Sequence, residues 1–309
     1  TNEVNGYLDQ FYDATGSNSF RLTDGSTSGN NVKGNGNTYI AYCWKAGSSN
    51  TSVSESGSGS GAVNACTHRA NTTSGFSIIK YTGFNDTISN GEHTLVTHGL
   101  GSPPVFMMAK ALSGSLDWCV IPGENGGGSW STDNHMHLNE VDGSSGALHV
   151  QPAFPTDTHV KIGNDDIINK DGVEFLMYAW IRVPGLVGYG TYTGGGSSFN
   201  PVIQINDGGS GFKPAWLMIK RAASGSGGNE SWFIFNNQSD PYNPSNHYIM
   251  ADAVNGENSG TGGNDIDFLA NGFTCKTTNT GTNGASLYMY LAFAENPFGG
   301  DGVAQAKAR

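Results

Sequence analysis

The chain has 309 residues, of which only 13% are Asp, Glu, Lys or Arg, and its formal net charge is −11. That acidity and the lack of any long Lys/Arg cluster exclude a basic nucleic-acid groove, and no apolar stretch is long enough for a membrane-spanning helix. Charged residues are replaced by 46 Gly and by abundant Ser, Thr and Asn, which form turns and strands better than surface helices, so the composition predicts an all-β chain with many loops.

In chain order, the first strong pattern is "TYIAYCWK" (38–45), which reads as a buried strand. With "FYDATGSNSFRLTDG" (11–25) before it, residues 1–46 read as the last two strands of a β unit whose earlier strands are absent. An open edge of that kind invites aggregation. We therefore expect it to be paired by a neighbouring subunit, by another part of the chain, or by an upstream segment of a longer protein. Residues 47–74 are rich in Ser and Gly and read as a connector.

Two similar blocks follow. "PPVFMMAK" (103–110) matches "KPAWLMIK" (213–220), with Pro104 to Pro214 and Lys110 to Lys220 both 110 residues apart. "LDWCVI" (116–121) matches "ESWFIF" (230–235), "DNHMHL" (133–138) matches "SNHYIM" (245–250), and "EFLMYAWI" (174–181) matches "SLYMYLAF" (286–293). The order is kept throughout, which indicates an internal duplication, with one unit over 75–184, a second over 185–298 and a tail over 299–309. Each unit holds seven or eight short apolar runs between Gly, Asn, Ser and Asp turns, the habit of a β-sandwich or jelly roll. Trp118 and Trp232 are expected to lie in a core. Cys43, Cys66, Cys119 and Cys275 have no zinc spacing and read as buried free thiols, although their even number leaves disulfides open.

The motifs "NGNTYIAYCWKAG" (35–47), "RANTTSGFSIIKYTG" (69–83), "HGLGSPPVFMMAK" (98–110), "KPAWLMIKR" (213–221), "IDFLANGF" (266–273) and "LYMYLAFAENPF" (287–298) resemble the repeat domain of tail-fibre-like structural proteins of marine bacteriophages. The resemblance covers nearly the whole chain. It implies concanavalin-like sandwiches and a place in the virion, and it supplies no catalytic residues.

Some concanavalin-like folds are glycoside hydrolases, which need acids at alternate positions of one strand. The nearest match is Glu140 and Asp142, with Gly-Ser-Ser-Gly where a third acid belongs; Asp165 and Asp166 are adjacent and face opposite ways on a strand. His135 and His137 would share a strand face as metal ligands do, but no third ligand is near, so they read as ordinary half-buried histidines. The Asp-rich loop "GGNDIDF" (262–268) could hold Ca2+. Trp130 and Tyr242 lie in Gly/Ser- and Asn/Pro-rich loops and are the candidate glycan-stacking rings; the alternative is that each caps an edge. The sequence thus reads as a non-enzymatic virion protein, fibre-like or capsid-decorating, at the particle surface. Its expected partners are other virion proteins, further copies of itself (a trimer favoured) and a host-surface glycan. A secreted bacterial carbohydrate-binding or adhesion protein is the alternative, and a glycoside hydrolase the third reading.

Overall fold

The structure, a computed structural model, describes residues 38–86, 88–124, 134–141, 150–222, 230–260 and 263–297, and the backbone of Phe11–Asp13, Phe20–Leu22 and Ser145–Gly146. Two compact units result, Thr1–Trp44 and Lys45–Arg309.

In the first unit, β1 (Phe11–Asp13) pairs antiparallel with β2 (Phe20–Leu22). Residues 38–44 form no strand. Tyr39, Ile40 and Trp44 are 51%, 40% and 37% exposed, and the Cys43 thiol is also exposed. The expected buried closing strand, with Cys43 in a small interior site, is therefore corrected. An apolar alternation becomes a strand only where a neighbour completes its ladder.

The second unit is all-β apart from one helical turn. Its first part contains β3 (Thr51–Val53), β4 (Cys66–Asn71), β5 (Phe76–Thr82), β6 (Thr94–Thr97), β7 (Phe106–Ala111), β8 (Cys119–Pro122), β9 (Asn134–His137), β10 (Ser145–Gly146), β11 (His159–Ile162), α1 (Asp166–Asn169) and β12 (Glu174–Trp180). Its second part contains β13 (Val187–Thr193), β14 (Val202–Gln204), β15 (Pro214–Arg221), β16 (Phe233–Asn236), β17 (His247–Met250), β18 (Asn258–Ser259), β19 (Ile266–Leu269), β20 (Gly272–Cys275) and β21 (Leu287–Ala294). The large sheets run β10-β9-β8-β7-β12-β5-β4-β3 and β13-β21-β15-β16-β17-β18, and smaller sheets run β11-β6 and β14-β20-β19. Read from β10 to β5 and from β18 to β13, the six strands common to both large sheets come in the same order.

Residues 47–74 are a correction. They are not a free connector: β3 and β4 extend the first large sheet beyond β5, with Cys66, His68 and Ala70 on one face and Cys66 in the core.

Strand alternation explains the cores. In β12, Phe175, Met177 and Ala179 face one way, with Ile79 and Tyr81 of β5 and Met107 and Ala109 of β7, against Val96, Val160 and Ile162 of the small sheet. In the second half, Leu217, Ile219, Tyr288 and Tyr290 do the same against Ile203, Ile266, Phe268 and Phe273. The opposite faces are buried as well. Phe106, Val120, Met136 and Trp180 on the first sheet and Val187, Tyr189, Met218, Trp232, Met289 and Leu291 on the second are all below 5% exposed. They meet back to back. The Phe106 and Tyr189 rings are 6.1 Å apart and Trp180 and Phe293 6.3 Å, and Trp232 Nε1 donates to the His137 carbonyl at 2.8 Å. Each large side chain so buried contributes about 1.5–3 kcal/mol. The Trp232 indole is fully buried as expected, whereas Trp118 is only half-buried and stacks on Tyr178 at 6.3 Å.

The two halves share an internal fastening. Tyr81 Oη donates to the Ile168 carbonyl, and the wholly buried Asn169 side chain accepts from Phe84 N (2.8 Å) and Asn64 Nδ2 (3.1 Å) while donating to Gly163 O (2.7 Å) and Thr94 Oγ1 (3.1 Å). Tyr192 Oη donates to Thr282 O, and Asn283 accepts from Gly195 N (2.7 Å) and donates to Thr277 O (2.8 Å). A Cβ on Gly83 or Gly194 would sit 2.1 Å from the carbonyl oxygen of Lys170 or Gly284, so the tight crossing requires glycine at both places.

Candidate functional site

A cleft lies where loops gather at one end of the first large sheet. Ser102, Pro103, Pro104 and Val105 lead into β7, Gly123 and Glu124 follow β8, Phe154 and Pro155 come from the loop before β11, and Arg182 follows β12; together they line a cleft of about 540 Å³. The strand ends fix these loops: Val105 N donates to Trp180 O at 2.7 Å and Gly123 N to Val105 O at 2.8 Å. A side chain at position 123 would drive its Cβ to 1.7 Å from Pro104 O, so glycine lets the two backbones touch.

Arg182 anchors the cleft floor. Nη1 donates to Glu124 Oε2 at 2.5 Å and Nη2 to Glu124 Oε1, a forked pair; Nη2 also donates to Tyr189 O at 2.9 Å and Nε to Asn206 O at 3.1 Å. The guanidinium therefore ties the cleft to the second half and holds the Glu124 carboxylate at its surface, where that side chain remains 34% exposed. A charged fork of this kind is stronger and more directional than a neutral hydrogen bond.

Tyr242 is 80% exposed. Its loop is nevertheless anchored: Asn243 Nδ2 donates to Phe268 O and Phe268 N to Asn243 Oδ1, both at 2.9 Å, and Asn246 N donates to Asp240 Oδ2 at 2.9 Å. The ring is presented on a fixed support. Trp130 and Asp142 lie outside the described residues.

The remaining sequence candidates are engaged in structural bonds. His135 and His137 do share a face, with rings 5.4 Å apart, and His137 Nδ1 lies 3.9 Å from Glu140 Oε2. Asp165 caps α1, accepting from Ile167 N at 2.9 Å, and Asp166 pairs with Lys170 at 3.0 Å, a contact that, with the Asn85 amide, holds its carboxyl below the usual range. In the proposed calcium loop, Asp267 is paired with Lys276 at 3.0 Å. Among the described residues, no three His, Cys, Asp or Glu side chains come together as metal ligands. Cys66, Cys119 and Cys275 are buried free thiols, and burial pushes the Cys275 thiol up to about 12.

Sequence reasoning missed the cleft. Its members span 81 positions, and the fold alone brings Ser102 and Arg182 to one cleft. The available signal was "SPPV" and "AFPT", two proline-bearing turns with no strand pattern, and an Arg directly after the closing strand.

No curated protein and no solved structure matches this chain. The model of a domain of unknown function, DUF7483, matches residues 2–297, nearly the full length, and the chain belongs to that family.

Proposed function

We propose that this chain is a structural component of a bacteriophage particle, fibre-like or capsid-decorating, exposed at the virion surface and acting in assembly and host attachment. Each half is read as a concanavalin-like, jelly-roll sandwich, two of them in tandem. The observation that carries the reading is how the reactive side chains are used. Lys110, Lys220, Asn169, Asn283, Tyr81 and Tyr192 are all buried and bonded inside the halves. Burying a polar or charged group is costly unless it is fully bonded, so this interior is built to hold one shape. Closed symmetry is the common way to build an extended particle component, and a trimer is the state we favour.

Peptide mass spectrometry of purified particles tests the reading: peptides of this chain in stoichiometric amount are expected, and their absence from intact particles overturns it. The anchored, exposed Tyr242 favours a second reading, a secreted bacterial carbohydrate-binding or adhesion protein. Secretion without particle association, with glycan binding lost in Tyr242→Ala or Trp130→Ala, would establish it. Polysaccharide turnover abolished by Glu140→Gln would displace both in favour of an enzyme.

A further inference from the structure

We propose that the cleft between Phe154 and the Glu124–Arg182 pair is a binding site for a neutral saccharide, with a vicinal diol on the charged pair and a sugar C–H face on the ring. The proposal deepens the attachment part of the function above and rests on it for its biological meaning.

The chemistry follows from counting donors and acceptors. A guanidinium has five N–H groups. Arg182 uses four, two on Glu124 and one each on Tyr189 O and Asn206 O, which leaves one Nη1 N–H. Each Glu124 oxygen, after accepting from Arg182, keeps a lone pair. The pair therefore offers an acceptor and a donor side by side, held before any ligand arrives. A hydroxyl both donates and accepts, so two adjacent hydroxyls match this edge. A cation would meet Arg182, and an anion would meet Glu124 and a chain of net charge −11. The walls are Pro103, Pro104, Val105, Phe154 and Pro155, and proline presents no N–H to demand a partner. Apolar walls with a few fixed polar groups, in a volume of about 540 Å³, are what a small-ligand site requires. Because the polar groups are already fixed, little ordering is needed on binding.

The test is an array of neutral, sialylated and uronic-acid oligosaccharides probed with the 309-residue chain. The best neutral hit is then titrated by calorimetry against variants. Phe154→Ala should weaken binding about tenfold. Ser102→Trp, placed at an exposed rim position, should block the cleft and abolish binding while leaving the melting temperature unchanged. Tyr242→Ala should leave cleft binding within about twofold, because Tyr242 is not among the residues that line the cleft. Failure of every neutral saccharide to bind, or binding unchanged in both cleft variants, overturns the proposal. The two readings fail separately: chain found in particles with no cleft binding removes only the cleft, and cleft binding by a chain absent from particles removes only the virion role.

Discussion

Replacing Asn169 by Ala tests the internal fastening directly. Asn169 is fully buried, and its removal leaves Phe84 N, one Asn64 Nδ2 hydrogen, Thr94 Oγ1 and Gly163 O without this partner. An unmet buried polar group costs about 1–3 kcal/mol. Four would give a larger sum, but the vacated amide volume is polar on several sides and can admit a water. A net loss of about 3–5 kcal/mol is expected, or about 10 °C in melting temperature for a cooperative unit of this size. Calorimetry and urea unfolding would read it, with the midpoint lowered at unchanged slope. Asn64→Ala should be coupled to Asn169→Ala in a double-mutant cycle by at least about 0.5 kcal/mol. A loss below about 1 kcal/mol for Asn169→Ala, or strict additivity in the cycle, would refute the fastening.

Further outcomes follow from other contacts. Burial holds the His98 imidazole down to about 4, opposed by its bond to Thr156 O and the nearby Asp157 and reinforced by neighbouring His159 and His68. A folded value below the ordinary 6.5 means that its stability contribution is complete above about pH 6.5 and is lost as pH falls toward 4, by about 3 kcal/mol. His98→Asn should flatten that part of the urea-midpoint profile, and an unchanged slope would contradict this. Gly83→Ala should cost about 3 kcal/mol, because its Cβ meets the Lys170 carbonyl; wild-type melting would disprove the tight crossing. Lys220→Met removes the ammonium that donates to the Glu230 and Glu140 carbonyls and should lower stability by about 2 kcal/mol, whereas an unchanged midpoint would show that the ammonium bonds are immaterial. A thiol reagent should label Cys43 rapidly in the native chain and the three buried cysteines only in denaturant; fast native labelling of Cys119 or Cys275 would contradict their burial.

What could be read from the sequence was whatever repeats. "EFLMYAW" and "LYMYLAF" became β12 and β21, interior strands at equivalent places in the two large sheets. "TYIAYCWK" carries the same alternation and forms no strand, because a pattern specifies a face and a neighbour makes it a strand. The opposite error occurred at 47–74. Ser and Gly hid β3 and β4, and the buried His68 broke the apolar alternation of Cys66 and Ala70. Lys110 and Lys220 were visible as a matched pair, but a charged residue at a strand end normally turns outward. Their burial follows from both faces of each large sheet being covered, which a single-strand pattern does not announce. The cleft was illegible because its carboxylate and guanidinium come from loops 58 residues apart.

The back-to-back contact has a consequence for larger assemblies. With the broad sheet surfaces turned inward upon each other, a neighbouring copy can grip the second unit mainly along its margins. Two of those margins are short and hydrophilic, Thr51–Val53 at one selvage and Asn258–Ser259 at another, both largely solvated, whereas the Val187–Thr193 margin is longer and mostly buried. Individual junctions of that kind are small, wet and easily reversed. A durable lattice made from them must draw its strength from many simultaneous junctions rather than from any one.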